Sequence, residues 1–280
     1  MAKIALVADS TADLPEDLRK EWGIHVIPLK VRFGSEEYFD HEITSEEFYR
    51  RLETADELPM TSQPSPEEFM NLYKELLGEY QEIISVHLSS ALSGTLNAAH
   101  IAKERLKAKI HIVDSKTISL GFGLMVMDIA RRIREGMDSA QIVEGLSKVR
   151  ENIETLFTLN TLEYLQKGGR IGRVQGFLGS VLNIKPVVRV GDDGVYQTYG
   201  NARSQRKALD LIVSAFDTLA AGRKKVSLVV GHGGALQAGK YLQEALENAL
   251  QIKTTLFTQV GPVIGVHTGP GTVGAAVQFE

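Results

Sequence analysis

Residues 82–106 read EIISVHLSSALSGTLNAAHIAKERL, and this stretch decides how the chain folds. The opening EIISVH, rich in Ile and Val, predicts a buried strand. A polar loop, Leu88-Ser89-Ser90-Ala91-Leu92-Ser93-Gly94-Thr95, follows it, and a helix runs on to about Leu106. Strand, polar loop and helix in that order form the unit of a parallel α/β sheet. A helix starting at Ser93-Gly94-Thr95 offers unpaired backbone N–H groups and a partial positive charge, a setting that suits an anion. Ser90 and Ser93 add hydroxyls there, and Gly94 lets a ligand come close to the backbone. The plainer alternative is that Ser93 only caps the helix, and this segment alone leaves both open.

Working outward, residues 3–8, 24–31 and 110–113 predict further strands of the same kind. Helices are expected to open at Thr44-Ser45-Glu46-Glu47 and Ser65-Pro66-Glu67-Glu68, which carry capping residues, and to cover 117–135 and 138–151. Residues 1–155 are therefore expected to form a Rossmann-like parallel-sheet domain. The loops at 9–13 and 88–95 would lie at the carboxyl ends of its strands, where such sheets bind ligands.

Residues 156–280 are patterned differently and predict an α+β domain with a mixed sheet. A strand at 155–159, a short helix at 161–166 and a glycine-rich basic turn at 167–173 come first. A hairpin over 185–199 turns at Gly191-Asp192-Asp193-Gly194, because Asp-Gly favours such turns. Helices at 202–220 and 236–249 alternate with strands at 226–231, 253–258 and 273–278.

Composition narrows the function. The chain has 280 residues, 43% hydrophobic and 24% charged, with a formal net charge of −4. A nucleic-acid binder would show a strongly basic domain. With no cysteine, disulfides, thiolate metal sites and a cysteine nucleophile are excluded. Seven scattered histidines form no paired-ligand motif, so no metal is expected. The first apolar run stops at Asp9, too short for a secretory signal, and no run approaches the roughly 18 residues of a membrane span. A cytoplasmic protein without membrane insertion is the expectation.

Two more clusters stand out. In Met60-Thr61-Ser62-Gln63-Pro64-Ser65-Pro66 two prolines stiffen a loop from which Thr61 and Ser62 can present hydroxyls, or which merely starts a helix. Residues 261–272, GPVIGVHTGPGT, surround the pair His267-Thr268 with glycine and proline; these two can donate to an anion, or His267 can be a core residue bonded to backbone. No phosphate-binding GxxxxGK[ST] or nucleophile-elbow GxSxG is present, and no GxGxxG stands behind a first strand.

Taken together, VADSTADLP (from residue 7), MTSQPSP (60), HLSSALSGTLNAA (87), VDS (113), LQKGGRIG (165) and HTGPGTVG (267) resemble, in order and spacing, the DegV family of bacterial fatty-acid-binding proteins. The resemblance implies two α/β domains with a long-chain fatty acid between them, in a carrier that is not itself an enzyme and needs no cofactor of its own. It further implies service as the binding subunit of fatty acid kinase. Such a subunit presents the acid to a separate ATP-dependent kinase subunit for acyl-phosphate formation, ahead of phospholipid synthesis. By the same resemblance Thr61 and Ser93 contact the carboxylate, with His267 and Thr268 close by. Ser62, Gly94 and Arg170 are further contacts, and Arg173 and Arg203 candidates for docking the kinase. The residue types suit this: each buried CH₂ contributes about 0.8 kcal/mol, whereas a helix end contributes only about 0.3–2 kcal/mol to an anion. The tail would hold and the head would orient. Residues 120–129 and 157–165 are candidate tunnel walls, or ordinary core.

Two rivals come from other classes. One is an acyl hydrolase with Ser93 as nucleophile, His267 as base and Asp9 or Asp114 orienting it. The other is a phosphate- or nucleotide-binding enzyme, against which the missing phosphate loop counts.

Overall fold

A computed structural model describes residues 2–177 and 184–280. The strand Glu82–His87 is buried along its whole length, in a four-stranded parallel sheet ordered Ile24–Ile27, Ile4–Asp9, Glu82–His87, Ile110–Asp114. Helices cover both faces of such a sheet, which is why its central strands read as unbroken apolar runs.

A separate mixed sheet has six strands in the order Tyr196–Ala202, Lys185–Val190, Ile153–Thr158, Val273–Phe279, Lys225–His232, Leu256–Gln259. Only its last pair is parallel. The two-part α/β architecture, parallel sheet first and mixed sheet second, is thus as the sequence predicts.

Between the sheets runs the helix Ser119–Arg134, which packs on Ile4–Asp9 of the first sheet and on three strands of the second. Residues 120–130 of it are all buried, and the one charged residue among them, Asp128, is paired with Arg131 and Arg132. Gly121 and Gly123 each weaken a helix by about 1 kcal/mol relative to Ala. They are needed for contact: a Cβ on Gly123 would lie 2.7 Å from Ala12 O, and one on Gly121 would collide with Thr155 Oγ1.

Three stretches depart from the patterns. The expected strand 24–31 is two strands, Ile24–Ile27 and Lys30–Phe33, in different sheets. Pro28 lies at the break; it has no N–H for a ladder, and Leu29 N donates instead to Ser10 Oγ at 3.0 Å. Lys30–Phe33 becomes the middle of a small antiparallel sheet with Glu36–Phe39 and Met60–Ser62. Residues 138–151 form two helices, Ser139–Glu144 and Leu146–Glu151, that meet at Gly145. Finally, the glycine-proline stretch after 260 contains a helix, Pro262–Thr268, with proline in its first turn, where its missing N–H costs nothing.

Candidate functional site

Thr61 sits in the middle of Met60–Ser62, opposite Val31. Side chains alternate along a strand, so Met60 and Ser62 face solvent while Thr61 turns inward. Its Oγ1 lies 2.9 Å from Nε2 of His267, in the last turn of Pro262–Thr268. Burial, with the nearby Arg170 charge second, pushes the His267 imidazole down to about 4, so it is neutral at neutral pH. Among the described residues its buried Nδ1 has no hydrogen-bond partner, and it faces Gly168.

Ser93 and Arg170 line the same small pocket as Thr61 and His267, together with Thr11 and Leu92. The helix after the loop begins at Thr95, two residues later than expected. Ser93 Oγ accepts from Thr95 N at 3.3 Å and lies 2.9 Å from Thr95 Oγ1, so it helps cap the helix and lines the pocket at once. Arg170 donates to Gly168 O (2.6 Å) and to Leu92 O (3.3 Å), pinning the basic turn against the serine loop.

The remaining expected residues lie elsewhere. Thr268 is buried, its hydroxyl donating to Ile264 O at 3.1 Å, and it lines a second, apolar pocket. Ser62 points away. Gly94 faces the Gln63 side chain, which joins the serine loop to the Met60 segment. Ser90 donates to Asp114 at 2.6 Å. Arg173 is exposed and paired with Asp193 at 2.5 Å, and Arg203 is exposed.

Ile118, Tyr196 and Ile264 line both pockets and so form the wall they share. Leu120 and Phe157 from the predicted walls, with Val190, complete the apolar side. Each pocket holds only about 30 Å³, against roughly 300–1,000 Å³ for a typical ligand site. A long chain enters only if these side chains give way. A larger cleft, about 560 Å³, lies elsewhere, walled both by Asp13, Asp40 and Arg19 and by Leu14, Ile24 and Ile43. The hydroxyls, imidazole and guanidinium singled out in the sequence converge on the first of the two small pockets.

The triad needed for a hydrolase is not formed at Ser93. His267 bonds Thr61, Asp114 accepts from Ser90, and Asp9 turns to another histidine. His87 Nδ1 donates to Asp9 Oδ2 (3.1 Å), and its Nε2 meets Ser85 Oγ (2.8 Å), which in turn accepts from Tyr73 OH (2.7 Å). This chain has a triad's order, but Tyr73, Ser85, His87 and Asp9 are all 0% exposed, beyond a substrate's reach. Asp9 also accepts from Leu88 N at 2.9 Å and Thr11 N at 3.1 Å, so the network braces two pocket residues from behind. Sequence reading missed it, although Ser85 and His87 share one face of a strand, a detectable signal.

Fold and site together define a two-domain α/β protein in which a pocket carrying hydroxyls and an imidazole lies beside an apolar one. A family model described as an uncharacterised protein of the DegV family matches residues 3–280. A DegV domain-containing protein of Clostridium acetobutylicum is 39% identical, with 100% of both chains covered. Among solved structures, a DegV family protein from Thermus thermophilus, described by its fatty acid binding, superposes with a TM-score of 0.94 at 38% identity, covering 99% of this chain and 100% of that one. DegV of Bacillus subtilis, described as a fatty acid binding protein, gives 0.91 at 32% identity with 100% of both chains covered. The chain belongs to the DegV family. Among the described residues no helix is long and apolar enough to cross a membrane.

Proposed function

We propose that this protein holds a long-chain fatty acid, with the carboxylate at Thr61, Ser93 and His267 and the tail in the apolar pocket beyond Tyr196. The observation that carries this is the convergence of those three side chains, from three separate segments, on one pocket that shares a wall with an apolar one. Hydroxyl and imidazole donors suit the task, since they can donate to carboxylate and phosphate oxygens alike. Arg170 stands beside the head, and Thr268 belongs with the tail. The fatty acids named for the relatives from Thermus thermophilus and Bacillus subtilis support the ligand class.

In this proposal the protein acts in the cytoplasm as a carrier rather than an enzyme, handing the carboxylate to a separate ATP-dependent kinase that makes the acyl phosphate. Arg173 and Arg203, both exposed, are the proposed docking residues. The boundary near residue 155 divides the two sheets' contributions, with the acid lying between. Denaturing the purified protein and analysing the extract by mass spectrometry tests the ligand: stoichiometric long-chain acid is expected, and an extract free of it after growth on oleate overturns the proposal. Phosphorylation of bound acid by a purified kinase subunit tests the partner.

A further inference from the structure

The seven-residue helix Pro262–Thr268 that carries His267 is too short to be stable alone. Its cap residue, Gly261, has no side chain to satisfy the first N–H groups. Two carboxylates from far back in the chain take that role: Gly261 N donates to Asp13 Oδ1 at 2.9 Å and Val263 N to Asp40 Oδ1 at 3.2 Å, across 248 and 223 positions.

Asp40 directly follows the strand Glu36–Phe39, and its own N–H donates to Leu29 O at 2.9 Å, just before the middle strand of the small sheet. Thr61 lies on the opposite edge strand of that sheet. The small sheet therefore grips the helix at both ends, with Asp40 at the first N–H groups and Thr61 at His267. Val31, Phe48, Tyr49, Val263 and Val266 fill the space between, in a core cluster of their own. A Cβ on Gly265 would come within 2.9 Å of Tyr49 OH, so the contact is close.

We infer that Asp40, seconded by Asp13, is a positioning residue for the Thr61–His267 pair, fixing the axial position of the helix and so the imidazole's place in the pocket. Its functional meaning rests on the proposed acid-binding role; its geometry does not. The carboxylates reach solvent through the large cleft, whose wall includes Asp13, Asp40, Gly261 and Pro262 and which is distinct from the pocket they serve.

The test uses Asp40→Ala, Asp40→Asn and Asp40→Glu in the full chain. Delipidated protein with ¹⁵N-labelled histidine reports the His267 ring by long-range ¹H–¹⁵N NMR, assigned with a His267→Gln control, and a stopped-flow measurement gives oleate dissociation. Asp40→Ala is expected to shift the His267 ring signals and speed oleate release about tenfold. Asp40→Asn, whose carbonyl still accepts from Val263 N, should restore both to within about twofold of the parent. If Asp40→Ala does not fold, Asp40→Glu, which moves the acceptor outward by one methylene, should still shift the ring. Unshifted His267 signals in every folded variant would overturn the inference. Failure of the unmodified protein to bind oleate would instead strike the fatty-acid proposal, and the ring signals of the ligand-free protein would still decide this one.

Discussion

Thr61 and His267 are 206 positions apart in the chain, and their side chains meet at 2.9 Å. When Nε2 carries the ring proton it donates to Thr61 Oγ1, which leaves the threonine hydroxyl hydrogen free for a ligand oxygen. The pair can then act as one relay, the imidazole orienting the hydroxyl and the hydroxyl meeting the acid.

Replacing Thr61 with valine keeps the shape and removes the hydroxyl. One hydrogen bond is worth roughly 0.5–1.5 kcal/mol, more with a charged partner, so Thr61→Val is expected to weaken oleate binding about tenfold, since 1.4 kcal/mol is one decade. Because valine also leaves the buried His267 Nε2 without this bond, a stability loss of about 1–3 kcal/mol is expected alongside. Displacement fluorimetry alongside urea melts checks both, and unaltered affinity would remove Thr61 from the site.

Ser93→Ala should likewise loosen the acid, and it should leave any turnover of a chromogenic ester at background, as in the parent. Serine-dependent hydrolysis in the parent protein would restore the nucleophile assignment.

Gly168 has ordinary right-handed backbone (φ −73), so alanine brings no backbone strain there. Its Cβ would collide with His267 Nδ1. Gly168→Ala is therefore expected to displace the imidazole and weaken oleate binding by tenfold or more. Affinity equal to the parent would show that the ring tolerates the displacement.

Burial holds the His267 pKa at about 4 in the folded chain, below the ordinary 6.5. The fold thus favours the neutral ring. Its contribution is fully present above about pH 6.5 and is lost as pH falls towards 4. Compared with His267→Asn, the parent should lose up to about 2 kcal/mol more stability between pH 7.5 and 5, at 1.36 kcal/mol per pKa unit. Parallel pH profiles for the two proteins would contradict this.

Asp13 titrates in the opposite sense. Burial pushes its carboxyl up to about 7 despite bonds from Ser119 and Gly261 N. The folded state therefore binds this proton more tightly than the unfolded one. That contribution is full below about pH 4 and disappears as pH rises through 7. Asp13→Asn should flatten the decline between pH 4 and 7 in urea melts, and a decline of the same size in the variant would assign it to other groups.

Much of this was legible in the residues. The unit at 82–106 gave the parallel sheet, because an apolar strand ahead of a polar loop and helix has few other uses. Asp193-Gly194 marked the hairpin, and Ser65 and Thr44 cap the helices expected after them. The small sheet was not legible: its strands have four, four and three residues, too few for an alternation to register. The His267 helix hid among glycines and prolines because its stability comes from Asp13 and Asp40, remote in sequence. The same holds for Tyr196, whose place between the two pockets depends on how the hairpin packs. The family resemblance named Thr61, Ser93 and His267, where residue type alone left each open; tertiary contact brings the three to one pocket and leaves Ser62 pointing outward beside Thr61.

The strand Val273–Phe279 lies in the interior of the six-stranded sheet, bonded to Ile153–Thr158 on one side and Lys225–His232 on the other. On the ribosome, then, everything up to residue 272 emerges as two half-sheets with raw edges facing one another, and nothing can join them until the closing strand arrives. A chain ending just before residue 273 would keep both of those edges open, ready to pair with the edges of other chains. Quality control of this protein should therefore be close to all-or-none.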